Sequence, residues 1–238
     1  MANFIVFAAS STIGQSVVQK LQKSGHTIFQ TARDHTKITP DVIVDLTDFD
    51  AVNACFNQAI AQMGSVDGVV NCAGSLFLKP AHLTDKGQYQ QTMDASVTTS
   101  FAIARAAGSL MRQGGSVVFI ASAAAMVGLA NHDAIAAAKA ALIGLSLSCA
   151  ATYAGQNLRF NVVAPGLTET SLTQSITGNP TSRKFSESMH ALGRIGTADE
   201  IANAIIFFLN PENSWITGQV LAVDGGLSSL QPKPRAAG

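Results

Sequence analysis

The sequence predicts a single-domain, doubly wound α/β fold, a mostly parallel sheet with helices on both faces. Three observations carry this. Short β-branched and aromatic runs alternate with longer helical patterns along 238 residues, the order that builds parallel sheets with crossover helices. The runs are continuously apolar, as strands covered on both faces must be. No repeat or linker interrupts the alternation, and a chain of this length buries a full core as one domain.

Taken in order, the strand candidates are NFIVFA (3–8), TIFQTA (27–32), DVIVD (41–45), VDGVVN (66–71), SVVFIAS (116–122), LRFNVVAP (158–165) and QVLAVDGG (219–226). Each is rich in Val, Ile or Phe, the side chains that suit a packed pleated surface. Between them lie helical patterns at 13–25, 48–64, 89–114, 134–155 and 198–210. The helix at 134–155 is apolar or small nearly all round, so it requires cover on every side, and a subunit contact is the expected cover. Residues 167–194 carry no firm pattern and are expected to form a lid or, alternatively, a plain surface loop. The domain is expected to span 1–230, with 231–238 a flexible tail.

Charged residues are 13% of the chain against a usual level of about 25%, and Lys+Arg balances Asp+Glu at 15 each. No global field favours nucleic acid or an anionic membrane. Cys55, Cys72 and Cys149 form no CxxC pair and leave one over, which argues against a disulfide framework or a cysteine zinc site. No metal is expected, and a reducing cytoplasm fits best. The N-terminus lacks the basic region of a secretory signal, and its apolar run is too short to span a bilayer. The uncharged stretch 114–132 is interrupted by Gly114, Gly115, Ser116, Ser122 and Asn131, and reads as buried strand plus loop.

VFAASSTIG (6–14) joins the first strand to the first helix, where backbone N–H groups and the positive helix end can meet a nucleotide phosphate. With VDLTD (44–48), VNCAG (70–74), Ser122, Lys139, NVVAPGLTET (161–170) and WITGQVLAVDGG (215–226), in that order and spacing, the chain resembles the short-chain dehydrogenase/reductase family from about residue 3 to residue 227. The resemblance implies a Rossmann-like fold and redox chemistry between a carbonyl or alcohol and a nicotinamide cofactor.

Residue by residue, it implies a phosphate loop of Ala8, Ser10, Ser11, Thr12, Ile13 and Gly14, with Asp45 and Leu46 near the adenine. Asn71, Ala73 and Gly74 would line the cofactor pocket with Ile120 beside it, and Pro165, Gly166, Leu167 and Thr170 would flank the nicotinamide. Arg33 follows the second strand and Ala32 stands where NAD-preferring members often have an acid, which favours NADP. The bland alternative is an exposed arginine at a strand end.

The departures are concentrated at the chemistry. The family's loop has three glycines where this chain has Ala8, Thr12 and Gly14. Thr12 is expected to resist any positive φ the turn needs and to crowd the pyrophosphate. The family's serine and lysine fall at Ser122 and Lys139, but its proton-donating tyrosine falls at Ile135 and its helix asparagine at Ser96. Tyr89 and Tyr153 read as helix packing, and His132, at a helix entrance, is a candidate proton source beside water. Arg183, Lys184 and Arg194 are either anion contacts or a solvated basic loop. Two functions follow: an NADP(H)-linked oxidoreductase with altered proton transfer to a small carbonyl or alcohol, or a silent member that binds a nucleotide or metabolite or completes an oligomer. A homodimer or homotetramer is expected in either case.

Overall fold

A computed structural model of the chain describes residues 1–231; of the expected tail, all but Gln231 lies outside the described residues. The chain runs β1 (Asn3–Phe7), α1 (Thr12–Lys23), β2 (Thr27–Ala32), β3 (Val42–Ile43), α2 (Phe49–Met63), β4 (Gly68–Asn71), α3 (Lys86–Met93), α4 (Thr99–Leu110), β5 (Gly115–Ile120), α5 (Asp133–Tyr153), β6 (Leu158–Pro165), β7 (Thr168–Glu169), α6 (Gln174–Thr177), α7 (Pro180–Met189), β8 (Gly196–Thr197), α8 (Ala198–Leu209) and β9 (Val220–Val223).

The main sheet has the order β3-β2-β1-β4-β5-β6-β9, and all its pairings are parallel. The chain moves outward from β1 to β3 and then returns to β4, so the winding reverses between β1 and β4. A ligand crevice belongs at the carboxyl ends of strands flanking such a reversal. Register sharpens this. Phe7, Asn71, Phe119, Val162 and Val220 form one row across the sheet. Ala8, Ala73, Ser122 and Pro165 follow that row within three residues, so the sheet delivers them to one edge.

Alternation along each strand divides the core. Phe4, Val6, Val70, Val118 and Val163 pack with Val17 of α1 and Ile205 and Phe208 of α8. Ile5, Phe7, Val69, Val117, Phe119 and Val162 pack with residues of α2, α4 and α5. Successive side chains of a strand point to opposite faces, and here both faces are covered.

Helix entries follow local capping chemistry. The side chains of Ser11, Asp48 and Asp85 accept first-turn amides of α1, α2 and α3, and Thr197 and Glu200 form a reciprocal capping box at α8. The helix expected at 89–114 differs most. It begins at Lys86 and passes through a π-helical turn, Asp94–Thr98, before α4. Thr98 bonds Asp94 (2.7 Å), and the Thr99 hydroxyl donates back to the Ala95 and Ser96 carbonyls (3.3 and 3.2 Å). These side chains compete with the backbone ladder and widen it.

The strand expected at 41–45 contracts to Val42–Ile43. Residues 167–194 are not irregular throughout, because α6 and α7 lie there and β7 pairs with β8. Asn179 caps the amides of Thr181 and Ser182 with Pro180 at the first helical position, a start signal that the Ser/Thr-rich composition obscured.

α5 is long and apolar enough to resemble a membrane span, yet it packs on β6 and α4. A Cβ at Gly108 of α4 would stand 2.3 Å from the Tyr153 ring, and that ring sits 5.7 Å from Phe160. Tyr153 is therefore a packing residue, as expected. Tyr89 is not: it is 45% exposed and lines a groove with Ala134 and Ala137.

Candidate active site

The loop after β1 makes a tight turn at Ala8, whose φ is +52°. The expected strain therefore falls on Ala8 and not on Thr12, which is the first residue of α1 and is absent from the positive-φ positions. Gly14 is required by space: a Cβ there would lie 2.7 Å from the Ala8 carbonyl oxygen and 2.9 Å from the Ala9 Cα. Ser11 Oγ accepts the Gly14 amide at 3.0 Å, and the Ser10 carbonyl accepts the Gln15 side chain at 3.0 Å. The amides of Thr12 and Ile13 take no acceptor among the described residues, which leaves the positive end of α1 open to an anion. The Thr12 hydroxyl is turned away toward the Ser171 amide (3.1 Å) and hydroxyl (3.3 Å).

Arg33 is exposed just past β2 and enters no salt bridge among the described residues. Asp45, also exposed, is held below the ordinary carboxyl range by the Thr47 amide and hydroxyl, with a smaller contribution from Arg33. Leu46 is buried beside it. Asn71 does not line the pocket as expected. It is buried, its amide donating to the hydroxyls of Thr99 (3.2 Å) and Ser100 (3.0 Å) and accepting the Ala73 N–H (3.0 Å). It braces β4 against α4, while Ala73 is half-buried and Gly74 exposed in the loop after β4.

Lys139 is 6% exposed on α5, and its Nζ donates to the Ile120 carbonyl at 2.9 Å. A Cβ at Gly74 would lie 3.4 Å from that Nζ, so the ammonium packs directly against the loop after β4. Burial pulls the lysine down to about 8 from its ordinary value. Ser122 begins a short 3-10 turn, and its Oγ accepts the Ala124 amide at 3.2 Å, leaving its proton unassigned. Ile135, one turn before Lys139 on the same helix face, is 4% exposed and supplies no polar atom.

Ser96 lies in the π turn, fully enclosed, with no hydrogen-bond partner for its Oγ among the described residues. His132 Nδ1 faces the Ala130 carbonyl at 2.8 Å within its own loop. Among the described residues no cluster of three or more metal-ligating side chains occurs.

Pro165 ends β6, and Gly166, Leu167 and Thr170 lead into the segment of α6 and α7, where Thr170 and Thr173 cap each other. Arg183 is held by Glu169 and Glu187 (both 3.0 Å) and Arg194 by Glu200 (2.6 Å). The two arginines are thus spent on the lid's own architecture, while Lys184 is solvent-exposed. Sequence reasoning missed His190, buried at the end of α7 against the Leu167 amide, because an isolated histidine in a polar segment carries no local signal.

A family model described as enoyl-(acyl carrier protein) reductase matches residues 7–228. The chain is 34% identical over 192 residues to 2-(S)-hydroxypropyl-CoM dehydrogenase 3 of Xanthobacter autotrophicus, covering 78% of this chain and 75% of the relative. Ligand-free aldohexose dehydrogenase of Thermoplasma acidophilum superposes with a TM-score of 0.90 at 28% identity, covering 99% and 97% of the two chains. The structure of ElxO with NADP bound gives a TM-score of 0.90 at 26% identity, covering 96% and 99%.

Proposed function

The chain belongs to the short-chain dehydrogenase/reductase family, and from that premise we propose that it is an NADP(H)-linked oxidoreductase of small carbonyl or alcohol compounds whose proton passes without a tyrosine. The observation that carries the reading is Lys139, a buried ammonium whose Nζ donates to the Ile120 carbonyl at the end of β5 and would lie 3.4 Å from a Cβ at Gly74 in the loop after β4.

The residues present fit a dinucleotide. Gly14 occupies a cradle that a Cβ would fill, and the open amides of Thr12 and Ile13 suit a pyrophosphate at a helix N-terminus. Arg33 is free to take a 2′-phosphate in a charge-assisted pair. The NADP in the ElxO structure supports this choice. When bound, NADPH supplies a hydride.

The protein's own residues do the rest. Ser122 orients the substrate oxygen with its hydroxyl proton, Lys139 holds the ribose, and the walls of the crevice exclude bulk water. Ile135 holds no proton, so the acid is a water polarised by Lys139, whose lowered pKa places proton release near neutrality. His132, the other candidate donor, has its Nδ1 turned to the Ala130 carbonyl of its own loop, which favours the water route.

The exposed face of α4 and α5, with Phe101, Ala140, Gly144 and Leu147, supports a homodimer or homotetramer built on these helices. Three buried free thiols support a reducing, cytoplasmic setting. The lid at 167–194 covers the substrate in this reading. Titration of the purified protein with NADPH and NADH tests the proposal. Saturable binding with NADPH the tighter is expected, and no binding to either overturns it in favour of a non-catalytic member. Light scattering at micromolar concentration checks the assembly.

A further inference from the structure

His190 occupies the junction of three segments that are distant in sequence. It is 4% exposed and ends α7. Its Nδ1 lies 2.7 Å from the Ser186 carbonyl, and its Nε2 lies 3.2 Å from the Leu167 amide. A carbonyl can only accept and an amide N–H can only donate, so the ring is neutral with its proton on Nδ1. The fit at Gly166 is equally tight, since a Cβ there would lie 2.7 Å from Nε2 and 2.9 Å from the Asp224 Cα. The His190 carbonyl accepts the Gly193 amide, and Gly225 accepts the Leu192 amide, so the lid's exit is bound to the turn after β9.

We propose that His190 is a positioning residue for hydride transfer, its neutral ring pinning the Gly166–Leu167 backbone under the lid and its protonation releasing that backbone. The proposal rests on the oxidoreductase reading, in which Gly166 and Leu167 flank the nicotinamide. A proton on Nε2 would set N–H against N–H at Leu167 and remove the acceptor.

The charged groups around the ring already have partners. Asp224 accepts the amides of Gly226 and Ser228 (both 2.9 Å). Across a cavity of about 300 Å³ beside the ring, Arg194 and Glu200 are paired. Glu187, on α7 itself, is held by Arg183. Proton uptake would therefore act on the Leu167 contact and release the Gly166–Leu167 backbone, which would stand beside a bound nicotinamide.

The test uses the full chain and His190→Gln, whose amide oxygen can accept the Leu167 N–H but does not titrate, with His190→Leu as the variant lacking any acceptor. The first readout is amide exchange at Leu167 from about pH 8 to about pH 5, the interval in which imidazoles take up protons, corrected for the intrinsic rate. Protection in the natural protein is expected to fall by about tenfold or more toward acid, to stay level in His190→Gln, and to be low at every pH in His190→Leu. Protection that is independent of pH in the natural protein, or that falls equally in His190→Gln, overturns the proposal.

The second readout is NADPH affinity and kcat/KM over the same range, where His190→Gln should lack the acid limb of the natural protein while staying within about threefold of it at pH 8. An acid limb shared by both proteins also overturns the proposal. If exchange behaves as expected but NADPH fails to bind at any pH, the oxidoreductase reading has failed and His190 is a structural pin without a catalytic part.

Discussion

The Thr12 side chain, at the place of a family glycine, accepts the Ser171 amide at 3.1 Å across 159 residues of sequence. The side chain that looked like a lesion is a link between the loop after β1 and the segment after β7. Thr12→Val keeps the shape and removes the hydroxyl. Losing a hydrogen bond worth about 1 kcal/mol should speed amide exchange across 168–177 about fivefold, with the sheet's protection unchanged. Unaltered exchange would show that the link does not hold the lid.

Ile135 faces the same side of α5 as Lys139 and lies one turn before it. Ile135→Tyr places a phenol beside the ammonium, which lowers the phenol's pKa and makes it an acid at neutral pH. Reduction of small ketones with NADPH should rise by about 10². If NADPH binds equally well in both proteins and turnover does not rise, the missing acid is not what limits the natural chain. Ser96→Asn is then the next change, because the Ser96 hydroxyl is enclosed without a partner.

Lys139 gives two pH signatures. As the group feeding protons, it should make reduction slow as pH rises through about 8, its folded-state value. Its effect on stability has the opposite sense. The folded-state pKa lies below the unfolded one near 10.5, so the unfolded chain binds more protons between those values and stability rises with pH there. Relative to Lys139→Met, urea unfolding should show a gain on the order of 3 kcal/mol from pH 8 to pH 10.5. A flat difference between the two proteins would mean that the ammonium is solvated.

Arg33→Ala should weaken NADPH by about tenfold or more and leave NADH nearly unchanged, since only the former carries the phosphate that a guanidinium can clasp. Fluorescence titration reads both. Equal losses for the two cofactors would return Arg33 to the role of an exposed strand-end charge.

Much of the fold is legible in the sequence, and the reason is physical. The inner strands of the main sheet are buried on both faces, so LRFNVVAP at β6, with all eight residues buried, stands out without any partner being known. What escapes is set by contacts between distant residues or by side chains that compete with the backbone. The π turn at Asp94–Thr98 depends on threonine hydroxyls that ordinary helical periodicity does not weigh. Motif spacing nominates Lys139, Ser122, Gly14 and Arg33, but it does not contain their contacts, such as that of Lys139 with the Ile120 carbonyl. Asn71, by contrast, is turned into the core by Thr99 and Ser100, and no motif reveals that Thr12 meets Ser171 or that His190 meets Leu167.

The short pairing of β7 with β8 has a consequence beyond catalysis. Thr168 aligns with Gly196 and Glu169 with Thr197, so the chain leaves the body of the domain and re-enters it at one place. What lies between is a cassette closed at its base. Its length and composition can change while Ser122 and the loop after β1, at their strand ends, and Lys139 on α5 keep their spacing. In the oxidoreductase reading, new substrate ranges can therefore be sought by exchanging that insert with His190 retained and the β7–β8 clasp kept as the splice point.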